Sequence, residues 1–334
     1  MSPLLADARE FPVDLHVPER RYGVLRIDDD VLARSSFLDT RIEAPLADAR
    51  PLSVDDVPAA LPSARVGWLF HTSFCGSTLA ARALHVPPHS VCLREPLVLR
   101  RLGDARHGGW SLDGFMAPTL RLLSRPWHDG GAVVIKPTHA ALNLAIDLVA
   151  ATPDSRGVVL TSSLDDFLVS NLKKTPESQA KIPQLAERAL RVGTFASRLP
   201  PAALQPPDLL CAAALQWAAQ RECMIDLVQA SGGRVRALDM GWLLDDLVGA
   251  MAQTARWLQL DIPEQALRAN CQAQAARNAK AIASPYDSQQ RAREAMMVTQ
   301  MFRDPLARTR AWADTHLLPA MRPTARATPD NWIA

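Results

Sequence analysis

Between residues 65 and 260, short apolar runs alternate with longer segments of helical composition. The runs span 65–72, 89–94, 131–136, 156–162 and 234–239, and each is rich in valine, isoleucine or leucine. Their length suits strands, and their near-continuous apolar character predicts strands buried on both faces. The segments 76–86, 111–124, 141–151, 164–173, 208–230 and 241–259 carry the alanine- and leucine-rich content of helices. This alternation predicts an α/β fold of three layers, with a mostly parallel sheet between two helical faces. Ligands of such sheets bind beyond the carboxyl ends of the strands, so the residues just after each run are the ones to inspect.

The flanks read differently. The alternation Tyr22-Gly23-Val24-Leu25-Arg26-Ile27, the acidic turn at Asp28, Asp29 and Asp30, and the stretch Ser36-Phe37-Leu38-Asp39 predict a small β-hairpin and a short helix. Pro45, Pro51, Pro58 and Pro62 mark a linker over about 44–64. After residue 260 the chain reads as helical, with Pro285, Pro305, Pro319 and Pro323 as breaks. Three segments follow: an N-terminal accessory segment 1–64, a core 65–260, and a helical C-terminal extension 261–334 packed on the core.

Composition narrows the function. A chain of 334 residues, 48% hydrophobic, is long enough for one large α/β domain or two modest ones. Its 37 basic and 35 acidic residues leave a net charge of +2, without the basic stripe of a nucleic-acid binder. No apolar run approaches bilayer length, and acids and prolines interrupt the N-terminus where a leader would be apolar. The expectation is a soluble, cytoplasmic protein with no membrane or nucleic-acid partner. The five cysteines are odd in number and form no CxxC pair, which argues against a disulfide framework or a zinc site. No metal is expected.

The first apolar run leads into His71-Thr72-Ser73-Phe74-Cys75-Gly76-Ser77-Thr78. A strand, a small polar loop and a helix start together make an anion cradle, with backbone N–H groups aimed at one spot. Gly76 permits close backbone approach, and Ser77 and Thr78 add hydroxyl donors. The spacing fits the triphosphate-binding pattern G-x-x-x-x-G-K-[ST], but His71 stands at the first glycine and Ser77 at the lysine. A capped helix after a buried strand, without ligand, is the competing reading. A cysteine-phosphatase loop is excluded by spacing: six residues separate Cys75 from Arg82, which lies within the helix.

These residues resemble the sulfotransferase superfamily, whose P-loop reads P-[RK]-S-G-[ST]-T-L. Cys75-Gly76-Ser77-Thr78-Leu79 is similar to its second half, and Phe74 stands where the family carries its arginine or lysine. Three further stretches, each at a strand end, share the likeness. Arg94-Glu95-Pro96-Leu97 resembles an E-P-L segment. Lys136-Pro137-Thr138-His139 resembles K-T-H with one residue inserted. The stretch from Leu160 to Ser170 resembles the 3′-phosphate segment, with Ser170 on its serine, Asp166 on its aspartate and Ser162 on its arginine. The likeness covers roughly residues 65–260. It implies a P-loop-type fold and transfer of a sulfuryl group from 3′-phosphoadenylyl sulfate, without a metal, to a hydroxyl or amine of an unidentified acceptor.

The resemblance implies that Ser73, Cys75, Gly76, Ser77, Thr78, Arg94, Ser162, Ser170 and Lys173 contact the sulfonucleotide, with Lys174 beside them. With Phe74 in the loop another cation must face the leaving group, and Lys136 is the first choice, Arg94 the second. Glu95 leads as general base, since burial at a cleft floor would raise its pKa. His139 and His71 compete for that role, and a structural part is the bland alternative for each. Trp217, Trp242 and Trp257 fall at core positions. Two other functions stay open: a kinase or NTPase taking magnesium through Asp239, and a catalytically inactive protein of sulfotransferase-like fold.

Overall fold

The computed structural model describes residues 3–276 and 288–327. Five parallel strands form its centre: β4 (Val66–His71), β5 (Ser90–Arg94), β6 (Ala132–Lys136), β7 (Arg156–Thr161) and β8 (Val235–Asp239). Their spatial order is β5-β6-β4-β7-β8. The chain leaves β4 toward one edge and leaves β7 toward the other, which opens a crevice between their carboxyl ends.

Alternate residues of each strand feed two apolar layers, as the pleat requires. Trp68, Phe70, Val91, Leu93, Val133, Ile135 and Val159 join one layer with the helices Leu97–His107 and Met116–Leu123. Leu69, Cys92, Val134, Val158 and Leu160 join the other with Ser77–Ala83, Leu247–Trp257 and Glu264–Ala275. A third apolar cluster gathers Leu164–Leu172, Ile182–Leu190, the long helix Leu209–Ala230 and Arg303–His316 over the carboxyl edge. The three-layer α/β class read from the sequence therefore stands, helical C-terminal additions included.

The N-terminal segment is a three-stranded antiparallel sheet, β1 (Glu10–His16), β2 (Arg21–Arg26) and β3 (Arg50–Ser53). The hairpin was legible, but β3 lies inside the expected linker. Pro51 is tolerated because β3 is an edge strand. The short helix is Asp29–Arg34, capped by the Asp28 carboxylate, rather than 36–39. The expected helix 241–259 is two, Met240–Asp245 and Leu247–Trp257, because Asp246 leaves helical geometry to cap the second. Pro305 sits in the first turn of Arg303–His316 and does not break it. Pro323 starts Pro323–Arg326, and Pro285 lies outside the described residues.

Candidate functional site

The loop after β4 is held from three sides. Thr72 N–H donates to the Leu160 carbonyl at 3.0 Å, continuing the β4–β7 ladder past the strand end. Ser73 is tied to the long helix: its N–H donates to Gln220 Oε1, and its Oγ accepts from Gln216 Nε2, both at 3.2 Å. Gln216 and Gln220 are one turn apart in an alanine-rich stretch of that helix, and both are buried. The Cys75 thiol donates to the Thr72 carbonyl, and burial pushes its pKa up, so it is no thiolate nucleophile. Phe74 and Gly76 both have left-handed backbone, with φ of 58° and 76°. A side chain at Gly76 would meet Leu243 Cδ2 at 3.1 Å. Ser77 and Thr78 open the following helix and are buried.

Sequence reasoning places Glu95, Lys136, His71 and His139 at adjacent strand ends, and the fold brings them together. Lys136 Nζ lies 2.5 Å from Glu95 Oε1, and His71 Nε2 lies 3.7 Å from the same oxygen. The His71 and His139 rings meet edge-on at 6.0 Å. The Phe37 ring faces the Lys136 amine at 5.5 Å. Glu95 itself has φ of 57°, a strained position that aims its carboxylate across the end of β6.

Electrostatics reverses one expectation. Burial alone would raise the Glu95 carboxyl, but the Lys136 charge, with smaller help from His71 and His139, brings it down to about 2. A carboxylate so acidic is a weak base. Burial lowers His139 to about 4, and burial with the Lys136 charge holds His71 well below the ordinary value. Both rings are therefore neutral at pH 7. His71 Nδ1 donates to the Thr72 carbonyl at 2.9 Å, which leaves Nε2 with the lone pair. His71 Nε2 and His139 Nε2 are both buried without a hydrogen-bond partner.

Other expected contacts sit elsewhere. Arg94 does not turn toward the loop: its guanidinium donates to the carbonyls of Leu32, Ser35 and Cys92, clamping the end of Asp29–Arg34. Lys173 is exposed, and its neighbour Lys174 places its amine 4.9 Å above the Phe74 ring. Ser170 is half-buried on Leu164–Leu172, and Ser163 with Asp166 caps that helix. Ser162 Oγ and Thr72 Oγ1 are buried without partners after the neighbouring strands β7 and β4. Trp217 belongs to the core as expected, yet its indole N–H also donates to the Ser162 carbonyl at 2.9 Å. Asp239, the magnesium ligand of the kinase reading, accepts the Gly241 N–H at 2.7 Å as a helix cap.

Gln216, Gln220 and Arg221 were missed as site residues. Arg221 donates to Thr161 Oγ1 and the Ser162 carbonyl, and also to the Ala325 and Ala327 carbonyls, so it ties the C-terminal segment to the end of β7. The available signal was four polar residues, Gln216, Gln220, Arg221 and Glu222, inside an alanine-rich helix. Such a helix buries polar groups only where something receives them.

Among the described residues no group of three or more His, Cys, Asp or Glu could hold a metal ion, and no helix is long and apolar enough to cross a membrane. No protein-family model and no curated protein matches the chain. Solved structures similar to it include a sulfotransferase domain from the curacin biosynthetic pathway, 12% identical, covering 73% of this chain and 98% of that one, with a TM-score of 0.38. A second is a sulfotransferase domain from the Synechococcus PCC 7002 olefin synthase, 14% identical, covering 74% of this chain and 97% of that one, with a TM-score of 0.36. At these TM-scores the likeness carries no weight beside the sheet order and the strand-end residues themselves.

Proposed function

We propose that the chain is a sulfotransferase that binds 3′-phosphoadenylyl sulfate in the crevice between β4 and β7. The observation that carries this reading is the pair of buried, unpartnered hydroxyls of Thr72 and Ser162, which flank that crevice on adjacent strands. Buried hydroxyls without partners are costly unless a ligand or water meets them. Gly76, with its open backbone, and the hydroxyls of Ser77 and Thr78 complete a cradle for the 5′ anion. Ser170 and Lys174 stand on the side proposed for the 3′-phosphate.

In this reading the acceptor oxygen attacks sulfur, a new S–O bond forms, and the bond from sulfur to the 5′-phosphate oxygen breaks. Adenosine 3′,5′-bisphosphate leaves with that electron pair. The acceptor proton passes to His139 Nε2, a neutral base at pH 7. Glu95 serves as the carboxylate that holds Lys136 charged and in place. Lys136 then stabilises charge on the departing oxygen.

Calorimetric titration with adenosine 3′,5′-bisphosphate, against Mg-ATP, tests the proposal. The expected result is heat with the bisphosphate and none with Mg-ATP. No heat with the bisphosphate overturns the reading, whether the chain then proves to bind Mg-ATP or neither.

A further inference from the structure

Lys136 ends β6 with its side chain wholly buried, and the Phe37 ring covers its amine at 5.5 Å. Phe37 belongs to no strand or helix, and its neighbours in the chain place it. Leu38 N–H donates to the Arg94 carbonyl at 2.7 Å, and the Leu38 carbonyl accepts from Leu97 N–H at 3.0 Å. On the other side, Arg94 holds the Ser35 carbonyl at 2.9 Å and Arg82 holds Ser36 Oγ at 3.2 Å. The backbone flanking Phe37 is therefore fixed across the end of β5, next to β6. What can move is the side chain, by rotation between its staggered states.

A second cation lies on the same ring. The Arg41 guanidinium sits 3.9 Å from the ring centroid, and more than half of that side chain is exposed. Asp39 holds it there: Oδ1 accepts from Arg41 Nε at 2.8 Å, and Oδ2 accepts from Nη2. Phe37 itself is buried, so its ring separates a buried cation from an exposed one. At an exposed site, a cation over an aromatic face shifts an equilibrium by roughly two- to fivefold. Such a contact holds a side chain without locking it.

We infer that Phe37 is the gate to Lys136 and Arg41 its latch: the amine meets an anion only when the ring turns outward, away from both cations. Phe37 and Arg41 act through Lys136, so both are positioning residues. The closed ring keeps water off the Lys136–Glu95 pair, whose attraction grows as water is excluded. The open ring gives the amine a path to a phosphate oxygen that the closed one denies. An anion that binds only the open form loses apparent affinity in proportion to the closed population. Loosening the latch therefore raises access and affinity by the same factor. That the entering anion is the 5′-phosphate of the nucleotide rests on the proposed function, whereas the shielding of the amine does not.

Reductive methylation of amines on the full chain, read residue by residue by mass spectrometry, tests the gate, with exposed Lys181 as internal reference. Labelling of a gated amine follows its open fraction, so native Lys136 should label far more slowly than Lys181. Arg41→Leu should speed Lys136 by about two- to fivefold and leave Lys181 unchanged. Arg41→Lys, which keeps a cation over the ring, should restore most of the protection. Phe37→Ala should speed Lys136 further, and Phe37→Tyr should return it to the native rate. Calorimetry with adenosine 3′,5′-bisphosphate supplies a second readout: Arg41→Leu should tighten binding by the factor seen in labelling, an effect that lost packing would not produce. Arg41 is exposed, so its variants keep the test decisive if Phe37→Ala fails to fold. Equal labelling of Lys136 and Lys181 in the native protein, or an unchanged Lys136 rate in Arg41→Leu, overturns the inference. So does faster labelling with unchanged or weaker affinity, in a protein that binds the bisphosphate. Faster labelling in a protein that gives no heat with the bisphosphate retains the gate and removes the transferase reading.

Discussion

Replacing Lys136 by methionine tests whether the Lys136–Glu95 pair organises the carboxyl edge. Lys136 is fully buried, Glu95 is half-buried, and the two groups lie 2.5 Å apart. Lowering the Glu95 carboxyl from its ordinary 4.5 to about 2 corresponds to roughly 3 kcal/mol of stability at neutral pH. In the native protein this contribution is complete above pH 4.5 and is lost as the pH falls toward 2. Removing the amine reverses the sign. Burial then dominates, the carboxyl rises above its ordinary value, and the variant gains stability as the pH falls and Glu95 takes up a proton.

Lys136→Met should therefore cost about 3–5 kcal/mol at pH 8, the usual penalty for orphaning one member of a buried pair. At pH 5 the loss should be smaller by roughly 2 kcal/mol, because the carboxyl is then neutral. Urea unfolding followed by tryptophan fluorescence at the two pH values measures both. A cycle with Glu95→Gln and the double variant should give a coupling of about 3 kcal/mol. A loss that is the same at both pH values, or a coupling below about 1 kcal/mol, would refute the argument that the pair is charged and interdependent.

Gly76→Ala should destabilise by about 1–2 kcal/mol through its left-handed backbone and the contact of the added Cβ with Leu243, and should weaken adenosine 3′,5′-bisphosphate in calorimetry by shifting the loop backbone. Arg94→Met should lower stability in urea by about 2–3 kcal/mol, since it strips buried carbonyls at Leu32 and Ser35, yet leave bisphosphate affinity unchanged in the folded fraction. His139 is neutral above its pKa of about 4, so turnover should stay flat from pH 8 to 6 and fall only as the pH approaches 4; an acid limb near 6.5 would assign the base elsewhere. Lys174→Met should weaken the bisphosphate about tenfold if that amine supplies the cation the loop lacks, with the effect shrinking at high salt.

The strands and their order of use were readable because buried parallel strands are continuous apolar runs, and each of the five falls within one or two residues of its predicted bounds. Meeting of Glu95, Lys136, His71 and His139 followed from the rule that functional residues sit at strand ends. What they do to one another did not. Burial beside Pro96 argued for a raised Glu95, while the sign is set by an amine 41 positions away, a distance in space that no local pattern encodes. Arg94 was misplaced for a similar reason. A strand-end arginine can turn toward the ligand edge or back toward the helix Asp29–Arg34, and the carbonyls at the end of that helix decide it. The third strand of the small sheet was hidden because Pro51 argues against a strand everywhere except at an edge.

Charge balance explains why Phe74 is compatible with an anion loop. The Lys136–Glu95 pair is neutral as a unit, so an entering anion meets no net charge from it until the amine shifts part of its hydrogen bonding from Glu95. Arg221 has donors on four acceptors and holds the C-terminal segment rather than a ligand. Lys174 differs from both: its described contact is the Phe74 ring, and burial with the Lys173 charge lowers its pKa, which marks an amine that gains from meeting an anion. Phe74 packs edge-on against Phe167 at 5.5 Å, and that contact fixes the ring under the amine. A cation–π contact is worth about 0.5–2 kcal/mol, less than a charge-assisted bond to a phosphate, so the ring can hold Lys174 near the loop and still release it to an incoming anion. Under the proposed function, the Phe74 ring is the platform for a cation carried in from the end of Leu164–Leu172.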